Sequence, residues 1–307
     1  MMSGWVILDK PSDMTSRAAG GRIARMFGVK KFGHLGTLDP MASGVLPIAL
    51  GDATKMIPYL EPGFANQKPE IRNQKLLKEY LFKIKWGLET DTGDIMGKIT
   101  GKNGNFPKTQ QIELALPQII GEIEQIPPAY SAIHINGVRA YDLARRGIPV
   151  EMPKRAVYIH ELSVEKAGVL DDFLYKVVCS AGTYVRSISQ DIARLLGPEF
   201  ICTTSMIRRT YNHGVDIKDA HPLDFLEKVY NNDPAGLQKY LHPADFGLDD
   251  ILVTELGGDD AVRFQNGGFI ATEDNNVGPR RVYCDGRFVG IGRIDNHLLK
   301  PKRIIKE

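Results

Sequence analysis

Tyr80, Phe82, Ile84 and Trp86 alternate with Leu81, Lys83 and Lys85, the period of two that turns one face of a β-strand toward a core. A different period governs the segment after Thr15. There Ala19, Ile23, Met26 and Phe27 recur at i, i+4, i+7 and i+8, one stripe of a helix that Thr15 or Ser16 can cap and Gly28 can end. Residues 173–179, Phe-Leu-Tyr-Lys-Val-Val-Cys, predict a second strand. Val185, Ile188, Ile192, Leu195 and Leu196 then return to helical spacing, which Gly197-Pro198 stops. Residues 61–77 are polar and turn-rich and read as a surface insertion, and 213–250 as short helical pieces. From 251 to 305 the pattern becomes short strands with glycine turns, including a hairpin closed by Asp285-Gly286. Strands and helices mix without regular β-α-β alternation. The expected class is therefore α+β: a central, mostly antiparallel sheet flanked by helices, with a small C-terminal β domain. A domain of roughly 55–60 residues is marginal on its own.

Composition narrows this picture more than it enlarges it. The 307 residues are 43% hydrophobic and 25% charged, as in ordinary globular chains of one large or two smaller domains. No apolar run approaches ~18–20 residues, so no membrane span is expected. The opening Met-Met-Ser-Gly-Trp-Val-Ile-Leu-Asp-Lys has no basic start or cleavage site, so a secretory leader is not expected. Cys179, Cys202 and Cys284 stand far apart, which argues against a disulfide framework and for a cytoplasmic setting. The net charge of +2 says nothing about a polyanionic partner, but its distribution does. Between Asp13 and Asp39 there is no acidic residue, while Arg17, Arg22, Arg25, Lys30 and Lys31 fall there. Arg139, Arg145, Arg146, Lys154 and Arg155 form a second cluster, and the tail Lys300-Pro-Lys-Arg-Ile-Ile-Lys306 a third. Any one cluster alone reads as solvated surface charge; three together raise the odds of a polyanionic partner without deciding it.

Several familiar catalytic signatures are absent: no G-x-G-x-x-G after a strand, no P-loop, no H-E-x-x-H, no G-x-S-x-G. Glu89, Asp91 and Asp94 cluster and could hold Mg²⁺ in a metal-dependent RNA hydrolase, although an exposed turn is the plainer reading. The informative place is the glycine-punctuated loop from Phe32 to Gly44. Pro40 pushes Asp39 out of helical conformation, so the carboxylate projects from an extended or turn segment. An Asp-Pro pair alone is usually only a turn.

Read whole, Gly33-His-Leu-Gly-Thr-Leu-Asp-Pro-Met-Ala-Ser-Gly-Val-Leu46, with Gly51-Asp-Ala-Thr-Lys55, resembles the signature of the TruB family of tRNA pseudouridine synthases. The resemblance continues in Lys10-Pro11 with Thr15-Ser16, and in Tyr80 followed by Thr90-Asp-Thr-Gly-Asp94. It extends through Gln125-Ile-Pro-Pro-Ala-Tyr-Ser-Ala132, Gly182-Thr-Tyr-Val-Arg186-Ser and Ile207-Arg-Arg-Thr210. It implies a pseudouridine synthase fold over 1–248, a thumb-like RNA-gripping segment at about 125–150, and a PUA-like domain over 249–307. It also implies isomerisation of uridine 55 in the tRNA T-loop by base flipping, in a cytoplasmic monomer without metal or cofactor. Asp39 is then the nucleophile, forming an adduct at C6 of the base or C1′ of the sugar. Arg186 keeps it charged, and Tyr80 stacks on uracil and helps remove the C5 proton. Tyr184 and Ile207 line the base pocket, His34 fills the gap left by the extruded nucleotide, and Lys10 and Lys55 bind substrate. The chemistry agrees: an ordinary Asp is already ionised at neutral pH, and burial beneath a base calls for a cationic neighbour.

Against the family pattern, Asp13 replaces a usual Gly, His134 and Ala181 replace frequent Lys residues, Ile207 a usual Leu, and Cys202-Thr-Thr-Ser a usual Ala-His segment. These losses of basic groups motivate an alternative: an RNA-binding or tRNA-folding protein with weak or lost catalysis.

Overall fold

The computed structural model describes residues 2–60, 77–166 and 173–306; the expected insertion at 61–77 lies outside them except for Leu77. The chain divides into two compact units. One takes its described residues from 2–39, 45–60 and 213–306, and the other is built from 40–44 and the described part of 77–212.

In the second unit, Cys202–Asn212, Lys78–Trp86, Leu174–Cys179, Arg155–Lys166 and Gly121–Gln125 lie side by side as an antiparallel sheet. Ser43 and Gly44, the first residues of the strand Ser43–Leu50, add a parallel pairing to Arg208 and Arg209. The alternation along Lys78–Trp86 has the expected consequence: Tyr80, Phe82, Ile84 and Trp86 are all buried. Phe82 stacks on Tyr175, with ring centroids 5.1 Å apart. The helix Val185–Leu196 buries Ile188 and Ile192 and ends at Gly197, as its pattern predicts. Ser189 on its inner face ties it to the sheet, accepting from Thr204 Oγ1 through its hydroxyl at 2.9 Å and from Cys202 Sγ through its carbonyl at 3.2 Å.

In the first unit, Gly4–Lys10 pairs in parallel with His221–Pro222 and lies beside Ser43–Leu50, which also pairs with Phe32–His34. The helix is Ser16–Met26 with Thr15 as its cap, the Thr15 hydroxyl accepting from Ala18 N–H at 3.1 Å. Gly20 leaves room for Phe32, whose ring would lie 2.8 Å from any Cβ there. Trp5, Leu35, Ala49, Met56, Tyr59, Leu248, Ile251 and Ile291 belong to one buried cluster. The C-terminal residues form a five-stranded sheet around Phe264, Val282, Ile294 and Leu299. Its expected hairpin joins Gly278–Cys284 to Arg287–Asp295. Asp285 and Gly286 sit at φ 50° and 71°, the two left-handed positions of a type I′ turn. The α+β class and the mostly antiparallel sheet are as expected; the parallel pairs at residues 43–44, 221–222 and 253–255 are additional. Among the described residues, no helix is long and apolar enough to cross a membrane.

Candidate active site

The loop carrying Asp39 is held on both sides by buried residues. Leu35 belongs to the Trp5 cluster and Leu38 is buried. Ser16 Oγ donates to the Leu38 carbonyl at 2.9 Å and accepts from the Leu38 N–H at 2.8 Å. Gly36 takes φ 73°, which re-aims the chain between the two leucines. The residue after this double clamp is Asp39, half-buried and outside any regular element, followed by exposed Pro40. His34 is half-buried at the end of its short strand, opposite Ile48.

At the other end of the loop, Gly44 stands at φ 107°, and a Cβ there would fall 2.1 Å from the Arg209 carbonyl oxygen. Only glycine allows that approach, so the chain leaving the loop lies flat on the strand that carries Ile207 and Arg209. Arg209, to which the resemblance assigns no role of its own, has no exposed surface and pairs in register with Tyr80. Burial lowers its pKa, opposed by a hydrogen bond to the Tyr80 side chain. Ile207 is buried opposite Phe82, two positions along the same ladder. Tyr80 and Ile207 are thus brought onto adjacent strands of one face.

Tyr184 and Arg186 share the start of the helix Val185–Leu196, where Tyr184 is the N-cap residue. Arg186 is almost fully buried. It donates to the carbonyls of Thr92 (2.7 Å) and Tyr130 (3.0 Å), and its Nη1 lies 3.6 Å from Asp94 Oδ2. Asp94 is therefore not part of an exposed turn. It is buried, and its Oδ1 also accepts from Thr92 Oγ1 and from Met96 N–H. Asp91 Oδ1 accepts from Lys98 N–H, and its Oδ2 from Tyr130 OH. Burial and the Asp91 carboxylate raise the Tyr130 pKa. Among the described residues, no three His, Cys, Asp or Glu side chains gather in a way that could hold a metal ion.

Two expected substrate contacts, Lys10 and Lys55, have bonds within the fold. Lys10 has no exposed surface and donates to the carbonyls of Pro11 (2.7 Å) and Met14 (2.6 Å), fastening the turn before the helix. Lys55 donates to the Ile304 carbonyl at 2.7 Å and pairs with Asp52 at 2.9 Å. Both ammonium groups are built into the fold. Burial and carbonyl partners are invisible in a motif, which reports only that a lysine stands there.

The fold, a mixed sheet flanked by helices with a small sheet after it, is shared with solved structures. The chain is similar to one in an H/ACA ribonucleoprotein bound to a substrate RNA containing 2′-deoxyuridine (TM-score 0.67, 19% identity, 99% of this chain and 85% of that one). It is also similar to one in a Cbf5–Nop10–Gar1 complex (TM-score 0.65, 20% identity, 98% of this chain and 84% of that one). Sequence comparison goes further. Residues 24–185 match the TruB family pseudouridylate synthase N-terminal domain, and 253–305 match the pseudouridine synthase II TruB C-terminal domain. The tRNA pseudouridine synthase B of Bradyrhizobium diazoefficiens is 39% identical over 98% of this chain and 85% of its own length. That of Caulobacter vibrioides is 42% identical over 87% of this chain and 80% of its own. The chain belongs to the TruB family of pseudouridylate synthases.

Proposed function

We propose that this chain isomerises uridine to pseudouridine in tRNA, at position 55 of the T-loop, with Asp39 as nucleophile. The observation that carries the reading is the loop itself: an aspartate free of regular structure, placed immediately after a residue clamped at both backbone groups. The reaction breaks N1–C1′ and forms C5–C1′; C5 loses a proton and N1 gains one, so no group is imported. The Asp39 carboxylate attacks the base or the sugar, the freed uracil turns, and C5 closes on C1′. Tyr80, buried against a guanidinium, supports the proton removal at C5. Arg186 supplies the cation that keeps Asp39 ionised as the base covers it, its orientation set by two carbonyls and Asp94.

Reaching a base inside a folded loop requires extrusion, at a cost on the order of a few kcal/mol. Phosphate contacts from exposed Arg17, Arg25, Arg145 and Arg146 offset it, with Tyr184, Ile207 and His34 around the flipped nucleotide. The T-arm is gripped by residues 125–150, the C-terminal β domain assists, and the protein works as a cytoplasmic monomer. The test is tritium release from tRNA labelled at uracil C5. Wild-type protein releases it without added metal or cofactor, and Asp39→Asn releases none above background. Wild-type protein running at the mutant's background on T-arm RNA would sink the reading.

A further inference from the structure

Gln125 and Arg155 stand opposite one another where the strands Gly121–Gln125 and Arg155–Lys166 meet, and both reach the same turn. Gln125 is fully buried. Its Oε1 accepts from Tyr184 N–H at 2.7 Å, and its Nε2 donates to the Tyr184 carbonyl at 3.2 Å. Arg155 Nη1 donates to the Gly182 carbonyl at 2.7 Å, and its guanidinium lies over the Tyr184 ring, 5.5 Å from the centroid. Gly182 takes φ 89°, and a Cβ there would sit 3.2 Å from Arg155 Nη1. The helix that begins here has no side-chain cap of its own on Tyr184. An amide and a guanidinium from a distant strand pair instead fasten the turn that leads into it, and two residues on is Arg186.

The geometry points to Gln125 and Arg155 as a bracket that positions Tyr184 and Arg186 for the isomerisation, Arg155 acting there rather than as a phosphate contact. This rests on the reading of the site given above. Neither residue touches the reacting atoms; they are positioning residues. The chemistry of each fits the task. A glutamine amide can donate and accept at one backbone position, and a planar guanidinium can bond a carbonyl while stacking on a ring, which an ammonium does poorly. Its neighbour Lys154 is different: exposed, and paired with exposed Glu124 at 3.2 Å.

Two measurements on the full chain test this. In single turnovers with C5-tritiated T-arm RNA, Arg155→Ala and Gln125→Ala each slow release about 10- to 100-fold, the loss expected when reacting groups shift by about 1 Å. The dependence of RNA Kd on salt keeps its wild-type slope. Arg155→Lys, which retains the charge, is as slow as Arg155→Ala, whereas Gln125→Glu, which keeps the acceptor for Tyr184 N–H, recovers part of the rate. Loss of about 0.7–0.9 from the salt slope in Arg155→Ala marks a phosphate contact and overturns the proposal. So does full activity in Arg155→Lys. The second measurement needs no catalysis: the ¹⁹F resonance of 3-fluorotyrosine at position 184 moves in Arg155→Ala and Gln125→Ala without RNA. An unmoved resonance overturns the bracket even if the enzyme reading stands, and a moved one in a protein that releases no tritium keeps the bracket while sinking that reading.

Discussion

The hydroxyl of Ser16 satisfies both backbone groups of Leu38, and the next residue is Asp39. Replacing Ser16 by Ala leaves a buried N–H and C=O without that partner, at about 1–3 kcal/mol for a group so stranded. Ser16→Ala is expected to lower stability by that order in urea unfolding, and to slow tritium release from a protein still folded at 25 °C. Helical spacing offered Thr15 and Ser16 as equal candidates for the cap. What separates them is a loop 22 residues away, and no local pattern carries that information. The same holds for Arg186. Its motif named it as a cation for Asp39, but its setting beside Asp94 depends on the turn that buries Asp94. With both side chains nearly inaccessible, removing Asp94 takes a carboxylate at 3.6 Å away from a buried guanidinium. Asp94→Ala is expected to cost about 3–5 kcal/mol, read as a lower midpoint of denaturation. Asp94→Asn keeps the hydrogen-bond acceptor and so loses less.

Elements were more legible than residues, because periodicity reports burial directly. The strand Lys78–Trp86, the helix Val185–Leu196 and the Asp285-Gly286 hairpin follow from spacing and from the need for two left-handed residues in a tight turn. The parallel contact of Ser43-Gly44 with Arg208-Arg209 does not, since parallel partners are not neighbours in sequence. Gly44 is the one local sign of it. Gly44→Ala places a methyl group against the Arg209 carbonyl at a φ that L-residues avoid. Its expected result is a lower Tm together with slower tritium release, because the parallel pairing of Ser43-Gly44 with Arg208-Arg209 is lost. A pH-dependent element lies elsewhere. His221 packs edge-on against Tyr240, and His242 tilts against Phe246. Burial lowers both imidazole pKa values, and for His242 the neighbouring His221 adds to the effect while Asp219 opposes it. A histidine whose folded pKa lies below its unfolded value of about 6.5 binds more protons when unfolded. Its stabilisation is complete above that pH and is lost as pH falls below it toward the folded pKa. Tm is therefore expected to drop between pH 7.5 and 5.5, and His242→Phe to flatten that drop.

On the scale of the molecule, the pattern change near residue 251 suggested a separate β domain, and the physical question is whether such a piece could leave. Ile251 and Ile291 sit in the same buried cluster as Trp5, Ala49, Met56 and the loop residue Leu35. The final strand is stitched to the turn after Ser43–Leu50: Lys55 bonds the Ile304 carbonyl, and Asp52 accepts from Lys306 N–H at 2.9 Å. Burial pushes the Asp52 carboxyl pKa up, but the Lys306 N–H, Lys55 and Lys31 together hold it below its ordinary value. A chain ending at residue 248 would expose the Leu35 side of that cluster, loosening the segment that aims Asp39. The expected outcome is more than weaker RNA binding. At RNA concentrations that saturate the truncated chain, its single-turnover rate should still fall about 10-fold or more, as a misplacement near 1 Å would cause. Its Tm should fall with it. The isolated piece 249–307, missing the apolar partners that bury Ile251 and Ile291, should show no cooperative melt. Full single-turnover rate in the saturated truncated chain would make the C-terminal sheet a detachable RNA grip, and the continuity of the buried cluster irrelevant to catalysis.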